Sequence, residues 1–347
     1  MARAEELLDR ARHAANIGNH VRADRYLAQA ARLTDDVDVH AQVEITRAYV
    51  EAETGDPVGG IERCLRILDR EDLSQATAGK AWQQLGLLRM RTGESDAALE
   101  AFAQAVAVLP PGIEDLGFAL LNRGNVHLQR RQPELAAADF EAARTELDLP
   151  GFEVDRAMAE HNLGYTRLLT GDLVGAIQMI EQAAPVLSPL SAVNRATVEQ
   201  DRAEILTAAG RPREAIRALE RAAQAYGSRR LRTYQAECEL TLAWTMLREN
   251  PTRARTVARR AARRFRGQAS PARELRADAT AIVAEIASGG RARSLLARVD
   301  SLGASLDAHG LRHDATVLRL QGARVSVVRG ELDDARNRLR RVRVDSS

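Results

Sequence analysis

Few side chains in this 347-residue sequence are of types and spacings that could carry out chemistry. Among its seven histidines, His309 and His313 have the i,i+4 spacing of a helical metal-binding pair, but Gly310 between them predicts a break in the helix. Gly79-Lys80 matches the end of a phosphate-binding loop, yet the first glycine and the Ser or Thr of that motif are missing. We therefore expect no catalytic residue, no metal site and no cofactor.

Arginine is the most distinctive chemical feature. Residues 228–347 hold 25 Arg against 13 acidic residues, a net charge of +12, whereas residues 1–227 have a net charge of −10. Apolar residues recur at i, i+3, i+4 and i+7 spacing between Arg253 and Arg266, which predicts an amphipathic helix with a basic outer face. The candidate docking residues on this face are Arg255, Arg259, Arg260, Arg263 and Arg264.

Three interpretations of this basic face are open. It is a solvated outer surface, a docking site for an acidic protein surface, or a nucleic-acid-binding surface. Nucleic acid is not the expected partner, because too few aromatic residues lie among the arginines to stack on bases. An acidic partner at the C-terminal end, either a following domain or a separate subunit, is expected to match the charge.

The elements that position these side chains follow from a spaced set of small and large residues near position 90. The set consists of Trp82, Leu85, Gly86, Gly93, Ala98, Phe102, Ala105 and Pro110. These residues resemble the signature of the 34-residue tetratricopeptide (TPR) repeat, a helical hairpin. Small residues at positions 8 and 20 of the repeat, Gly86 and Ala98, let its two helices approach closely. One such repeat cannot bury its apolar face alone, so neighbouring repeats are implied.

Further copies occur along the whole chain. Position 8 recurs at Ala11, Ala48, Gly86, Gly124, Gly164, Ala203 and Ala243, and two degenerate units follow near Ala281 and Ala323. The predicted fold is an all-α, right-handed α-solenoid of about nine TPR-like hairpins. We predict one continuous solenoid, with acidic repeats one to six in residues 1–227 and basic, degenerate repeats seven to nine in residues 228–347. Cys64 stands where other repeats have Phe or Leu, which indicates a small buried apolar residue.

The resemblance to TPR proteins also implies a binding surface. In that family the first helix of each hairpin lines a concave groove through positions 2, 5, 9 and 12. The residues at such positions here include Tyr49, Gln83, Asn125, His161, Tyr165, Gln200, Glu204 and Trp244. We expect this groove to hold a protein or peptide partner, since aromatic residues are frequent at interface hot spots. The alternative is that some of these residues only pack against adjacent helices.

A finer resemblance is carried by local sequence style. Ala258–Pro271, the opening Ala4–Leu8 and the final Leu320–Arg324 are similar to the TPR region of CHAT-domain proteins of high-GC bacteria, in which a helical array precedes a caspase-like peptidase domain. This implies a non-catalytic scaffold, the regulatory or sensing arm of such a peptidase. The alternative is a TPR receptor for a signalling peptide or ligand that controls a transcription regulator. A cytoplasmic location is expected, because the sequence opens with a charged amphipathic segment and contains no membrane-spanning run.

Overall fold

Residues 2–344 are described by the structure, a computed structural model, and they form eighteen α-helices with no strand. The helices pair in order as nine antiparallel hairpins, which confirms the predicted all-α solenoid of TPR-like hairpins. The first five hairpins contain α1 (Ala2–Asn16), α2 (His20–Ala31), α3 (Val37–Glu53), α4 (Pro57–Leu68), α5 (Gln75–Arg91), α6 (Ser95–Val108), α7 (Glu114–Gln129), α8 (Pro133–Glu146), α9 (Glu153–Thr170) and α10 (Leu173–Leu190). The last four contain α11 (Ala192–Ala208), α12 (Pro212–Ser228), α13 (Arg232–Met246), α14 (Pro251–Arg266), α15 (Pro271–Ala287), α16 (Arg293–Ala308), α17 (Arg312–Val328) and α18 (Leu332–Val344).

The chain divides into two compact units. The first unit is Met1–Ala183 and the second is Ala184–Ser347, so the division falls inside α10. In the first unit, Phe102 and Phe140 are fully buried, and in the second unit Phe265 and Leu219 are fully buried. A division of the chain at residue 227, based on charge, stays a prediction.

Turn and cap residues set the helix ends. Ser74 accepts a hydrogen bond from the Thr77 amide at the start of α5, and Asn250 accepts one from the Arg253 amide at the start of α14. Such side chains satisfy amides that have no partner inside the helix. Gly93, between α5 and α6, has a φ of 84°, a conformation that glycine adopts without strain.

Close helix approach within the hairpins occurs where the repeat signature predicts it. A methyl group placed on Gly86 of α5 would lie 2.7 Å from the Phe102 ring of α6, and one on Gly124 of α7 would lie 2.7 Å from the Phe140 ring of α8. Ala98, at the second small position, is fully buried. The glycine therefore leaves the space that the aromatic ring of the second helix fills.

One glycine ends a helix, whereas two prolines lie within one. Gly310 has a φ of 73° and separates α16 from α17, so His309 and His313 do not share a helix, as predicted. Pro185 and Pro189, of a residue type that usually ends a helix, both lie inside α10. A proline removes one backbone hydrogen bond to the preceding turn, and the flanking bonds of α10 keep the segment helical.

Both cysteines are fully buried, which confirms the packing role expected for Cys64. Burial raises the pKa of the Cys64 thiol to about 12. It also raises the pKa of the Cys238 thiol to about 12, and this thiol donates a hydrogen bond to the Leu219 carbonyl at 3.3 Å. At neutral pH both thiols are therefore protonated and unreactive.

Replacing Gly86 by leucine tests the predicted packing directly. The new side chain would overlap the Phe102 ring, so we expect a loss of about 1–3 kcal/mol of stability through overpacking, even after the gain in helix propensity. The matched control is Glu100→Leu, at an exposed position of α6, which should be nearly neutral. Thermal unfolding followed by circular dichroism measures both, and equal melting temperatures for the two variants would contradict the packing.

Candidate functional site

The eight predicted groove residues all lie on the first helix of a hairpin. In the first unit, Tyr49 lies on α3, Gln83 on α5, Asn125 on α7, and His161 and Tyr165 on α9. In the second unit, Gln200 and Glu204 lie on α11, and Trp244 lies on α13. Their role in binding stays a prediction, and their surroundings differ.

In the first unit, polar contacts join the first helices of neighbouring hairpins. The Asn162 amide donates a hydrogen bond to the Asn125 side-chain oxygen at 3.0 Å, which links α9 to α7. The Arg91 guanidinium lies 5.6 Å from the centre of the Tyr49 ring, which links α5 to α3. His161 is only 9% exposed, so little of its ring is open to a partner.

In the second unit, the structure brings two of the predicted residues together. Glu204 and Trp244 line a cavity of about 450 Å³ formed by α11, α12 and α13. Trp244 is 43% exposed, although a tryptophan usually hides most of its large apolar surface. Burial, and secondarily the negative charge of Asp201, raises the pKa of the Glu204 carboxyl.

A larger cavity, of about 720 Å³, lies on the other side of Trp244 between α13, α15 and α17. Its apolar wall includes Val283 and Val325, both buried, and its lining also includes Arg248, Arg291 and Arg324. These three arginines were not among the predicted site residues. One signal was available, since Arg324 follows the position-8 residue Ala323 and so occupies groove position 9 of the last repeat.

The predicted basic docking residues lie on α14 and mostly have internal partners. Arg260 and Arg264 are 2.9 and 3.0 Å from the carboxylate of Glu239 on α13, a residue that is 1% exposed. The carboxylate of Glu285 on α15 lies 3.9 Å from Arg255 and 3.5 Å from Arg259. Arg263 is exposed and has no ion pair among residues 2–344. Docking of a partner on this face stays a prediction.

Metal sites and bilayer-spanning helices are both missing from the described residues. In the described part of the chain, no group of three or more His, Cys, Asp or Glu side chains could hold a metal ion. A bilayer-spanning helix is not found among residues 2–344, since no helix there combines the required length with an apolar composition.

Comparison with known proteins agrees with this geometry. Residues 79–108 match the tetratricopeptide repeat family. No curated protein matches the chain in sequence. Among solved structures, the apo form of RapI is similar with a TM-score of 0.76 and 10% identity, covering 99% of this chain and 97% of RapI.

Two further solved structures are similar over their full lengths. The apo form of the quorum sensor NprR from B. thuringiensis has a TM-score of 0.69 and 11% identity, with 100% of this chain and 98% of NprR covered. A Rap protein complexed with Competence and Sporulation Factor has a TM-score of 0.57 and 12% identity, with 99% and 98% covered. At these identities the likeness establishes the fold, a TPR-like helical solenoid.

The pairing of Glu239 predicts that two arginines of the basic face support the fold. Replacing both Arg260 and Arg264 by glutamine leaves a buried carboxylate without a partner, which should cost on the order of 3 kcal/mol. Arg263→Gln, on the same helix, is the control and should be nearly neutral. Adding Glu239→Gln to the double variant should restore much of the stability, as measured by urea denaturation. A double variant as stable as the wild type would show that Glu239 does not need these arginines.

The raised pKa of Glu204 predicts a pH-dependent stability. Folding favours the protonated carboxyl, so the wild type loses stability as the pH rises from the ordinary glutamate pKa of 4.5 through the pKa of the folded protein. Glu204→Gln carries no such charge and should melt at a higher temperature at neutral pH. The difference should vanish below about pH 4, where the carboxyl is protonated in both states. Glu100→Gln is the control, and a benefit of Glu204→Gln that does not depend on pH would refute this cause.

Proposed function

We propose that this chain is a non-catalytic scaffold that binds a protein or peptide partner through the first helices of its hairpins. The observation that carries the proposal is the exposed Trp244, which stands between two cavities lined mainly by first-helix residues. A large exposed aromatic side chain beside concave apolar surface is typical of a binding hot spot.

The protonated state of both cysteine thiols supports a non-catalytic role. The two thiols of the chain have a pKa of about 12, so a negligible fraction is thiolate at neutral pH. Of the described carboxyls, Glu204 lies in a cavity with its pKa raised, but no histidine lines that cavity with it. These features favour recognition of a partner over conversion of a substrate.

Two finer functions are compatible with such a scaffold. The regulatory arm of a caspase-like CHAT peptidase is supported by the sequence resemblance at Ala258–Pro271 and at both ends of the chain. A receptor for a signalling peptide or ligand that controls a regulator is supported by likeness to a quorum sensor and to a Rap protein complexed with Competence and Sporulation Factor. We favour the receptor, because that likeness extends over the whole chain. We also propose a cytoplasmic location.

Selection from a displayed library of random 12-residue peptides tests the proposed function. We expect selected peptides to bind the purified protein, and Trp244→Ala or Asn125→Ala to weaken the binding by about 1–2 kcal/mol in fluorescence anisotropy. The matched control is Val58→Ala, which shortens an exposed apolar side chain on the second helix α4 and should leave the affinity unchanged.

Two results would count against the proposal. Failure to select any peptide that binds the folded protein would remove its basis. Selected peptides whose affinity falls equally in all three variants would show that the first-helix surface is not the site.

A further inference from the structure

Trp244 separates two cavities of opposite charge in the second compact unit. Its side chain lines both the cavity that contains Glu204 and the cavity that contains Arg248, Arg291 and Arg324. All of these residues belong to Ala184–Ser347, so the two cavities are described within one unit. We call them the acidic cavity and the basic cavity.

The acidic cavity is built to receive a positive charge. Glu204 is its one charged lining residue, and the rest of the lining is apolar or carries hydroxyl groups, including Leu219 and Thr241. Within residues 2–344 the Glu204 carboxylate has neither an ion pair nor a hydrogen bond. A half-buried carboxylate without a partner costs free energy, and a ligand cation would recover that cost.

The basic cavity has the opposite character. No acidic residue lines it, and its three arginine side chains have no ion pair within the described part of the chain. All three arginines are exposed, so their guanidinium groups are open to a ligand. Guanidinium groups next to the apolar Val283 and Val325 suit a carboxylate that follows an apolar side chain.

We infer that the two cavities bind one short peptide segment of mixed charge, with a cationic side chain at Glu204, an apolar side chain on Trp244 and a carboxylate at Arg248, Arg291 and Arg324. This rests on the proposed function and names the chemistry of its partner. Charge complementarity commits the site to this occupant, since a uniformly acidic peptide would meet Glu204 and a uniformly basic one would meet the three arginines.

Helix spacing sets the length of the segment. Neighbouring packed helices lie about 10 Å apart, and an extended peptide spans about 3.3 Å per residue. One such spacing takes about three residues, so the charged groups of the ligand are separated by about three residues to reach from α11 to α13 and about six to reach α15. A single amino acid cannot meet both charged sites.

Fluorescein-labelled, end-capped octapeptides provide the test. The probe peptides carry arginine and glutamate separated by two or four residues that include Phe and Leu, in both chain orders. Each matched single-charge peptide lacks one of the two charges, because arginine is replaced by citrulline or glutamate by glutamine. We expect a mixed-charge peptide to bind about 10-fold or more tightly than either single-charge counterpart. Binding should change the tryptophan fluorescence of the wild-type protein but not that of the Trp244→Phe variant.

Protein variants assign each charge to its cavity. Glu204→Gln should abolish the preference for arginine over citrulline, while Arg248→Gln combined with Arg324→Gln should abolish the preference for glutamate over glutamine. The controls are Glu100→Gln and Arg263→Gln, which should preserve both preferences. Both residues are exposed, have no ion pair in the described chain and lie outside both cavities. Circular dichroism checks that every variant is folded.

The inference is overturned if mixed-charge and single-charge peptides bind equally, if the cavity variants weaken the binding of all peptides alike, or if no octapeptide binds at about 1 mM. These results are distinct from failure of the proposed function. Library-selected peptides that depend on Asn125 but ignore Glu204 and Arg324 would leave the scaffold standing and reject the mixed-charge site.

Discussion

The distance between the two helices of a hairpin is the constraint on which the rest of the structure depends. Gly86 and Gly124 have no side chain, so the rings of Phe102 and Phe140 lie where a methyl group would be. This close fit fixes the rotation of each first helix about its axis. That rotation in turn decides which side chains face the second helix and which remain available to a partner.

The same local packing determines how buried charges are paired. In a chain of stacked hairpins each element contacts only its neighbours, so a buried carboxylate must find its cation on an adjacent helix. Asp139, which is 5% exposed, accepts two hydrogen bonds from Arg123, at 2.9 and 2.6 Å, within one hairpin. Glu239 forms ion pairs with Arg260 and Arg264 on the following helix. Much of the arginine content therefore holds hairpins together.

The limits of prediction from the sequence follow from this locality. The spacing of Gly86, Ala98 and Phe102 reports contacts within one hairpin, so the fold, the number of hairpins and the burial of Cys64 were predictable. The partners of Arg260 depend on how α14 rotates between two first helices, and no spacing in the sequence encodes that. The cavities beside Trp244 are formed by residues of two and three hairpins, so no single repeat of the sequence contains the whole lining of either cavity.

Net charge and internal ion pairing give different information about the basic third of the chain. In the densest basic segment, Arg253–Arg266, six of the seven arginines lie within 4 Å of a carboxylate of the described chain. The informative charges are those that the described chain leaves without a partner next to apolar surface, such as Glu204 and Arg324. Burial makes the Glu204 carboxylate costly to maintain in the free protein, and a ligand cation that pairs with it gains that free energy on binding. The residual charges after internal pairing, rather than the total, therefore define what the surface can recognise.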